Sequence, residues 1–218
     1  MGTFKGILFD LDGTLVKTME DHFKAWQAVL RKFNLEITPE SLYKLEGMRL
    51  PEIPKKLFEE YNFAPADPAK IVEEKEEYYL KNSKFELYSG VESFVDELIS
   101  KKVLTGVVTA GLWPRVFSSI PQEFLGKFGA VITGEDSGRG KPFPDPYLRG
   151  AQLIGLKPEE CIVVENAPLG IKAAKSAGMY CIAVCTTLGR NYLEDADEII
   201  EKFDDLRTLE IIKQMLNK

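Results

Sequence analysis

The chain has 218 residues, 28 Lys+Arg against 34 Asp+Glu for a net charge of −6, and 44% hydrophobic residues, enough for one large core or a core of about 150 residues with a smaller module. The ordinary apolar fraction and interspersed charges exclude a disordered chain, and an acidic pI near 5.1 leaves no excess cation for a nucleic-acid partner. No apolar run reaches the roughly 18 to 20 residues of a membrane span, so no membrane partner is expected, and the one histidine excludes a multi-His metal centre.

In chain order, the first predicted element is a buried strand, Gly6-Ile-Leu-Phe9, which ends in Asp10-Leu-Asp12-Gly13-Thr14-Leu15. From Met19 to Phe85 no strand pattern occurs. Helical periodicity runs through His22, Phe23, Trp26, Val29, Leu30 and Phe33, and further segments open at Thr38-Pro39 and Asp67-Pro-Ala. Strand patterns then return at Val103–Val108, Ala130–Ile132, Cys161–Val164 and Cys181–Val184. Most are followed by turns and amphipathic segments, as in a doubly wound, Rossmann-like α/β fold with a parallel sheet. The expected division is an α/β core of residues 1–17 and 86–218, interrupted by an all-helical domain of residues 18–85. Cys181 and Cys185 fall in or beside the apolar run Tyr180–Cys185. With three cysteines in all, a disulfide scaffold is not expected and a reducing cytoplasm is.

In such a sheet, functional groups gather where strands end at their carboxyl edge. Asp10 and Asp12 lie two residues apart there, and each raises the other's pKa unless a cation offsets the repulsion. A hard cation such as Mg²⁺ among oxygen ligands is the natural remedy; alone, the same Asp-Gly run is also a common turn. The second strand ends at Thr109-Ala110-Gly111, a hydroxyl and backbone N–H groups that a phosphate could approach closely. Gly138-Arg-Gly-Lys141-Pro-Phe-Pro-Asp145-Pro places a lysine in a rigid loop before a helix, a point charge suited to a phosphoryl oxygen. The fourth strand ends at Glu165-Asn166, again at a helix start. Singly, these read as a turn residue, a solvated charge and a first-turn acid; together they occupy four strand ends in order.

This set resembles the haloacid dehalogenase superfamily of phosphotransferases, in its β-phosphoglucomutase-like branch, over nearly the whole chain. Asp10-Leu-Asp-Gly-Thr-Leu15 is similar to the family's first motif, Thr109 to its second, Lys141-Pro-Phe-Pro-Asp-Pro to its third, and Glu165-Asn166 with Gly170–Gly178 to its fourth. The resemblance implies that residues 18–85 are a cap over the site, that Asp10 is the nucleophile forming an aspartyl-phosphate, and that Asp12 is the general acid and base. It implies Mg²⁺ held by Asp10, the Asp12 carbonyl and Asn166, with Glu165 through water, and phosphoryl oxygens bound by Thr109, the Ala110 N–H and Lys141. Asn166 departs from the aspartate usual in the family, which removes one negative charge from the metal site.

The cap segments Thr18–Trp26 and Glu46-Gly-Met-Arg49 resemble the same branch, which makes His22, Glu46, Arg49 and Lys75 candidate substrate contacts. A mutase of that branch carries a phosphate-binding lysine soon after the second motif, where this chain has Ala110, Gly111, Leu112 and Trp113. Hydrolysis of a small phosphorylated metabolite (a sugar phosphate, a phosphoglycolate-like ester or pyrophosphate) is therefore the first reading, with phosphosugar mutase as the alternative. A dehalogenase would need neither the metal nor a second aspartate, and a capped enzyme of this size can act as a monomer.

Overall fold

The computed structural model describes residues 4–217; residues 1–3 and Lys218, assigned above to the core, lie outside that range. Strand β1 (Gly6–Phe9) has all four residues buried, as a strand covered on both faces requires. It is flanked by β2 (Leu104–Val108) and β4 (Cys161–Glu165); β3 (Ala130–Ile132) lies beyond β2, and β5 (Tyr180–Val184) and β6 (Glu198–Ile200) beyond β4. All pairings are parallel, giving the order β3-β2-β1-β4-β5-β6. The five expected strands are present, with shifts of a residue at some ends. Strand β6 was not anticipated: three residues set among acids carry little apolar signal, and a short, polar-flanked strand is a usual way to finish a sheet edge.

Between β1 and β2 lie α1 (Met19–Leu30), α2 (Pro39–Tyr43), α3 (Ile53–Glu60) and α4 (Pro68–Asn82). After them come α5 (Val91–Ser100), α6 (Trp113–Ser119), α7 (Gln122–Leu125), α8 (Asp145–Leu153), α9 (Pro168–Ser176) and α10 (Glu210–Leu216). Side chains alternate across β1: Ile7 and Phe9 pack with Phe94, Val95 and Leu98 of α5 and Ile212 of α10, while Leu8 packs with Tyr147 and Ala151 of α8 and Ile171 and Ala174 of α9.

Helices α1 to α4 have a separate apolar cluster, including Trp26, Leu30, Leu57, Phe58 and Ile71. Helix α4 starts where the sequence marks it: Pro68 occupies the first turn and the Asp67 side chain accepts a 3.0 Å hydrogen bond from Lys70 N, a cap that satisfies an otherwise orphan donor. Its buried residues Ile71, Lys75 and Tyr79 recur every four positions along one face, so a lysine is carried into an apolar stripe. Both ends of the helical insertion leave the core side by side: Val16 and Leu87 form an antiparallel bridge, and Lys17 N donates to Glu86 O at 2.8 Å.

Candidate active site

The chain order turns back at β1, with β2 on one side and β4 on the other, and the crevice at the carboxyl ends of such strands is where an open α/β sheet binds ligands. Asp10 follows β1, Thr109 follows β2, Lys141 precedes α8, and Glu165 and Asn166 end β4; all five are buried. Lys141 Nζ donates to Asp10 Oδ1 at 2.6 Å, to Glu165 Oε1 at 2.7 Å and to the Val108 carbonyl at 3.1 Å. Burial opposes the Lys141 charge, but Asp10 and Glu165 outweigh it and raise its pKa. Glu165 also accepts from the Tyr147 hydroxyl at 2.9 Å and from the Asn166 and Ala167 amides at 2.9 and 3.0 Å. Its two oxygens are thus engaged by protein donors, and its visible task is to aim Lys141. Gly170 makes room for it, since a Cβ there would lie 1.6 Å from Glu165 Oε1.

Asp12 faces a different set. Its Oδ1 accepts from Thr18 Oγ1 at 2.8 Å and its Oδ2 from Thr109 Oγ1 at 3.0 Å. Arg115 of α6 grips both oxygens, Nη1 to Oδ1 at 2.8 Å and Nη2 to Oδ2 at 2.6 Å. Against the effect of burial, Arg115 holds the Asp12 pKa well below the usual carboxylate range. Neither Arg115 nor Thr18 was singled out from the sequence. An arginine on a short helix reads as solvated, and the only hint was the side-chain-free Gly111 four positions before it.

From the insertion, His22 Nε2 lies 3.6 Å from Asp12 Oδ1, and its Nδ1 is 2.9 Å from Lys75 Nζ. The His22 ring stacks on Tyr79 with centroids 4.1 Å apart. Burial, then the Lys75 charge, pushes the His22 pKa down to about 4, so the ring is neutral near pH 7, with Nδ1 accepting from lysine and Nε2–H turned to Asp12. Lys75 also pairs with Glu76 at 2.6 Å. Asp12, His22, Trp26, Lys75, Leu112 and Arg115 line a cavity of about 70 Å³ whose other walls are mainly apolar.

The four insertion candidates do not meet at one point. His22 and Lys75 face this cavity; Glu46 also lines it but reaches on to the end of β4, where its Oε1 accepts from Asn166 Nδ2 at 2.8 Å. Burial, then the Asp10 charge, raises the Glu46 pKa well above its ordinary value. Arg49 goes elsewhere again, donating from Nη2 to the Ser137 carbonyl and lining a cavity of about 10 Å³ with Thr109, Ala110 and Lys141.

The site also bears on a cation. Asp10 Oδ2 is buried without a hydrogen-bond partner, an arrangement that costs free energy unless something positive meets it. Burial raises the Asp10 pKa; Lys141 opposes that, and Glu165 and Asp12 add to it. Among the described residues no three His, Cys, Asp or Glu side chains form a ready-made metal cluster. The available donors are oxygens of mixed type: Asp10 Oδ2, the Glu46 carboxylate and the Asn166 amide, whose Oδ1 accepts from Thr14 Oγ1 at 2.8 Å. An all-oxygen set of this kind suits a hard divalent cation.

Residues 7–184 match the family model described as haloacid dehalogenase-like hydrolase. The chain belongs to that family. Within the haloacid dehalogenase-like hydrolases it is similar to fructose-1-phosphate phosphatase YqaB of Escherichia coli (strain K12), 30% identical over 83% of this chain and 96% of that one. It is also similar to the β-phosphoglucomutase of Bacillus subtilis (strain 168), 26% identical over 96% of this chain and 94% of that one. The solved β-phosphoglucomutase of Clostridium difficile shares the fold, with a TM-score of 0.82 at 24% identity over 99% of this chain and 98% of that one. These likenesses place the haloacid dehalogenase-like chain in the β-phosphoglucomutase-like branch, with the doubly wound fold expected from its strands.

Proposed function

We propose that this chain is a Mg²⁺-dependent phosphohydrolase that releases phosphate from a small phosphorylated metabolite through an aspartyl-phosphate on Asp10. The observation that carries this reading is the meeting of Asp10 with Lys141, 131 residues later, beside Thr109 and Asp12. A carboxylate attacks a phosphate dianion only where charge is neutralised and the approach is held in line. An Asp10 oxygen bonds to phosphorus as the bond from phosphorus to the leaving oxygen breaks. Asp12, ionised in the free site, relays to that oxygen a proton carried in on the phosphate monoanion, then takes a proton from the water that splits the aspartyl-phosphate and frees inorganic phosphate. Thr109, the Ala110 N–H and Lys141 bind the phosphoryl oxygens, and Arg49 closes on that group from the insertion. Asp10, the Asp12 carbonyl, Asn166 and Glu46 would hold Mg²⁺, with Glu165 behind them orienting Lys141. The ion, when bound, offsets the negative charge gathered between nucleophile and phosphate.

In this reading residues 18–85 cap the core formed by residues 1–17 and 86–218, and the cavity beside Asp12 receives the leaving group. Several features favour water over a second sugar phosphate as acceptor. The loop after Thr109 carries no cation before Arg115, Arg115 is engaged by Asp12, and Lys75 is engaged by Glu76. The mutase alternative is supported by the likeness to β-phosphoglucomutases. The test is phosphate release from sugar phosphates, phosphoglycolate and pyrophosphate, with Mg²⁺ and with EDTA. Release that stops in EDTA and in Asp10→Asn is expected. Metal-independent release refutes the reading, and conversion of β-glucose 1-phosphate to glucose 6-phosphate establishes the mutase.

A further inference from the structure

The mechanism above leaves Arg115 without a task, yet few side chains at the site are held so completely. It is 5% exposed, its fork meets both Asp12 oxygens, and its Cζ lies 5.7 Å from the centre of the Tyr79 ring contributed by α4. Gly111 supplies the space on another side: a Cβ there would stand 1.9 Å from Arg115 Nη2 and 2.6 Å from Cζ. The Gly111 backbone does not adopt the left-handed conformation that would itself call for glycine. Room for the guanidinium is what the missing side chain provides.

We propose that Arg115 is a positioning residue: its two-pronged contact fixes the plane of the Asp12 carboxylate toward the leaving-group cavity, and residue 111 is glycine because that contact occupies the volume of its side chain. This rests on Asp12 being the carboxylate that serves the leaving oxygen and the water. The hydroxyls of Thr18 and Thr109 each reach one oxygen, and a single rotatable donor does not set a carboxylate plane. A rigid guanidinium fork does. If Arg115 merely balanced the buried charge of Asp12, a lysine ammonium would serve as well.

The test uses the full chain with Mg²⁺ and the best substrate from the panel. Arg115→Lys and Arg115→Met are expected to lower kcat about 100-fold, the cost of a misplacement near 1 Å, with KM little changed. Gly111→Ala should act like Arg115→Met, through the displaced guanidinium. In Arg115→Ala, guanidinium chloride at non-denaturing concentration should raise kcat at least about tenfold, the size of a lost hydrogen bond to a charged group; in Arg115→Met, where the side chain fills the space, it should not. An Arg115→Lys enzyme within about threefold of the parent kcat, or no guanidinium effect in Arg115→Ala, overturns the proposal. Should the arginine variants fail to fold, Gly111→Ala decides it: near-parental kcat refutes it and a loss near 100-fold supports it. If the parent protein releases no phosphate from any compound, the phosphatase reading falls on that result. Crystal structures of the parent and Gly111→Ala then decide the positioning claim: a rotated Asp12 carboxylate supports it and an unchanged one overturns it.

Discussion

Glu46 and Asn166 are joined by a 2.8 Å hydrogen bond between the helical insertion and the end of β4. The contact brings a carboxylate to the position where the family's usual aspartate has been replaced by an amide. Burial and the Asp10 charge disfavour ionisation of Glu46, so it would supply the charge missing from residue 166 when a cation offsets them.

Glu46→Gln is expected to weaken Mg²⁺ activation by a factor on the order of ten to one hundred. Asn166→Asp in that background returns the charge and should recover most of the loss, while Asn166→Asp alone sets two carboxylates together and should lower stability. Phosphate release against Mg²⁺ concentration, with thermal unfolding of each variant, checks all three.

The Asp10, Lys141 and Glu165 network predicts an asymmetry. Lys141→Met leaves two buried carboxylates without their cation and should cost about 3 to 5 kcal/mol. Asp10→Asn retains the 2.7 Å pair of Lys141 with Glu165 and relieves crowding among carboxylates. It should abolish turnover while changing stability by no more than about 1 kcal/mol. Urea unfolding beside phosphate release separates the two cases.

His22 gives a pH dependence whose sign can be worked out. Its folded pKa of about 4 lies below the ordinary 6.5, so between those values the unfolded chain binds more protons than the folded one. Stability from neutral His22 is complete above the upper value and declines as pH falls toward the lower, by up to about 3 kcal/mol. Thermal unfolding from pH 7 to pH 4 should show a steeper loss for the parent than for His22→Gln. Parallel curves would refute the assignment.

Arg49 meets the core at the Ser137 carbonyl beside Thr109 and Lys141. Arg49→Ala should raise both KM and the inhibition constant for inorganic phosphate about tenfold, the size of a charge-assisted hydrogen bond. A steady-state comparison of parent and variant measures both; an unchanged phosphate constant would remove Arg49 from the phosphoryl site.

Elements with strong local signals were legible in the sequence. Four residues buried on both faces announce β1, and Asp67-Pro68 announces α4. Asp10, Thr109 and Glu165 could be found because each stands at the end of a strand, and Lys141 because it stands in a proline-rich loop just before a helix, where sequence position fixes spatial position. Arg115 and Thr18 could not, because their role is defined by a partner far away or around a turn rather than by a periodicity. The directions of Glu46 and Arg49 were equally hidden. They stand three residues apart on a turn that sends one to the end of β4 and the other to the loop before α8, a divergence set by tertiary packing.

The placement of β1 at the centre of the sheet has a consequence for synthesis. Asp10 and Thr14 leave the ribosome well before the residues they meet: Lys141 follows Asp10 by 131 positions and Asn166 follows its partner Thr14 by 152. Strand β1 also lacks its neighbour β4 until that stretch has emerged. While that intervening stretch is being made, the nascent chain carries an acidic, apolar segment with neither its cation nor one side of its sheet, the kind of unpaired strand edge that is prone to pair wrongly.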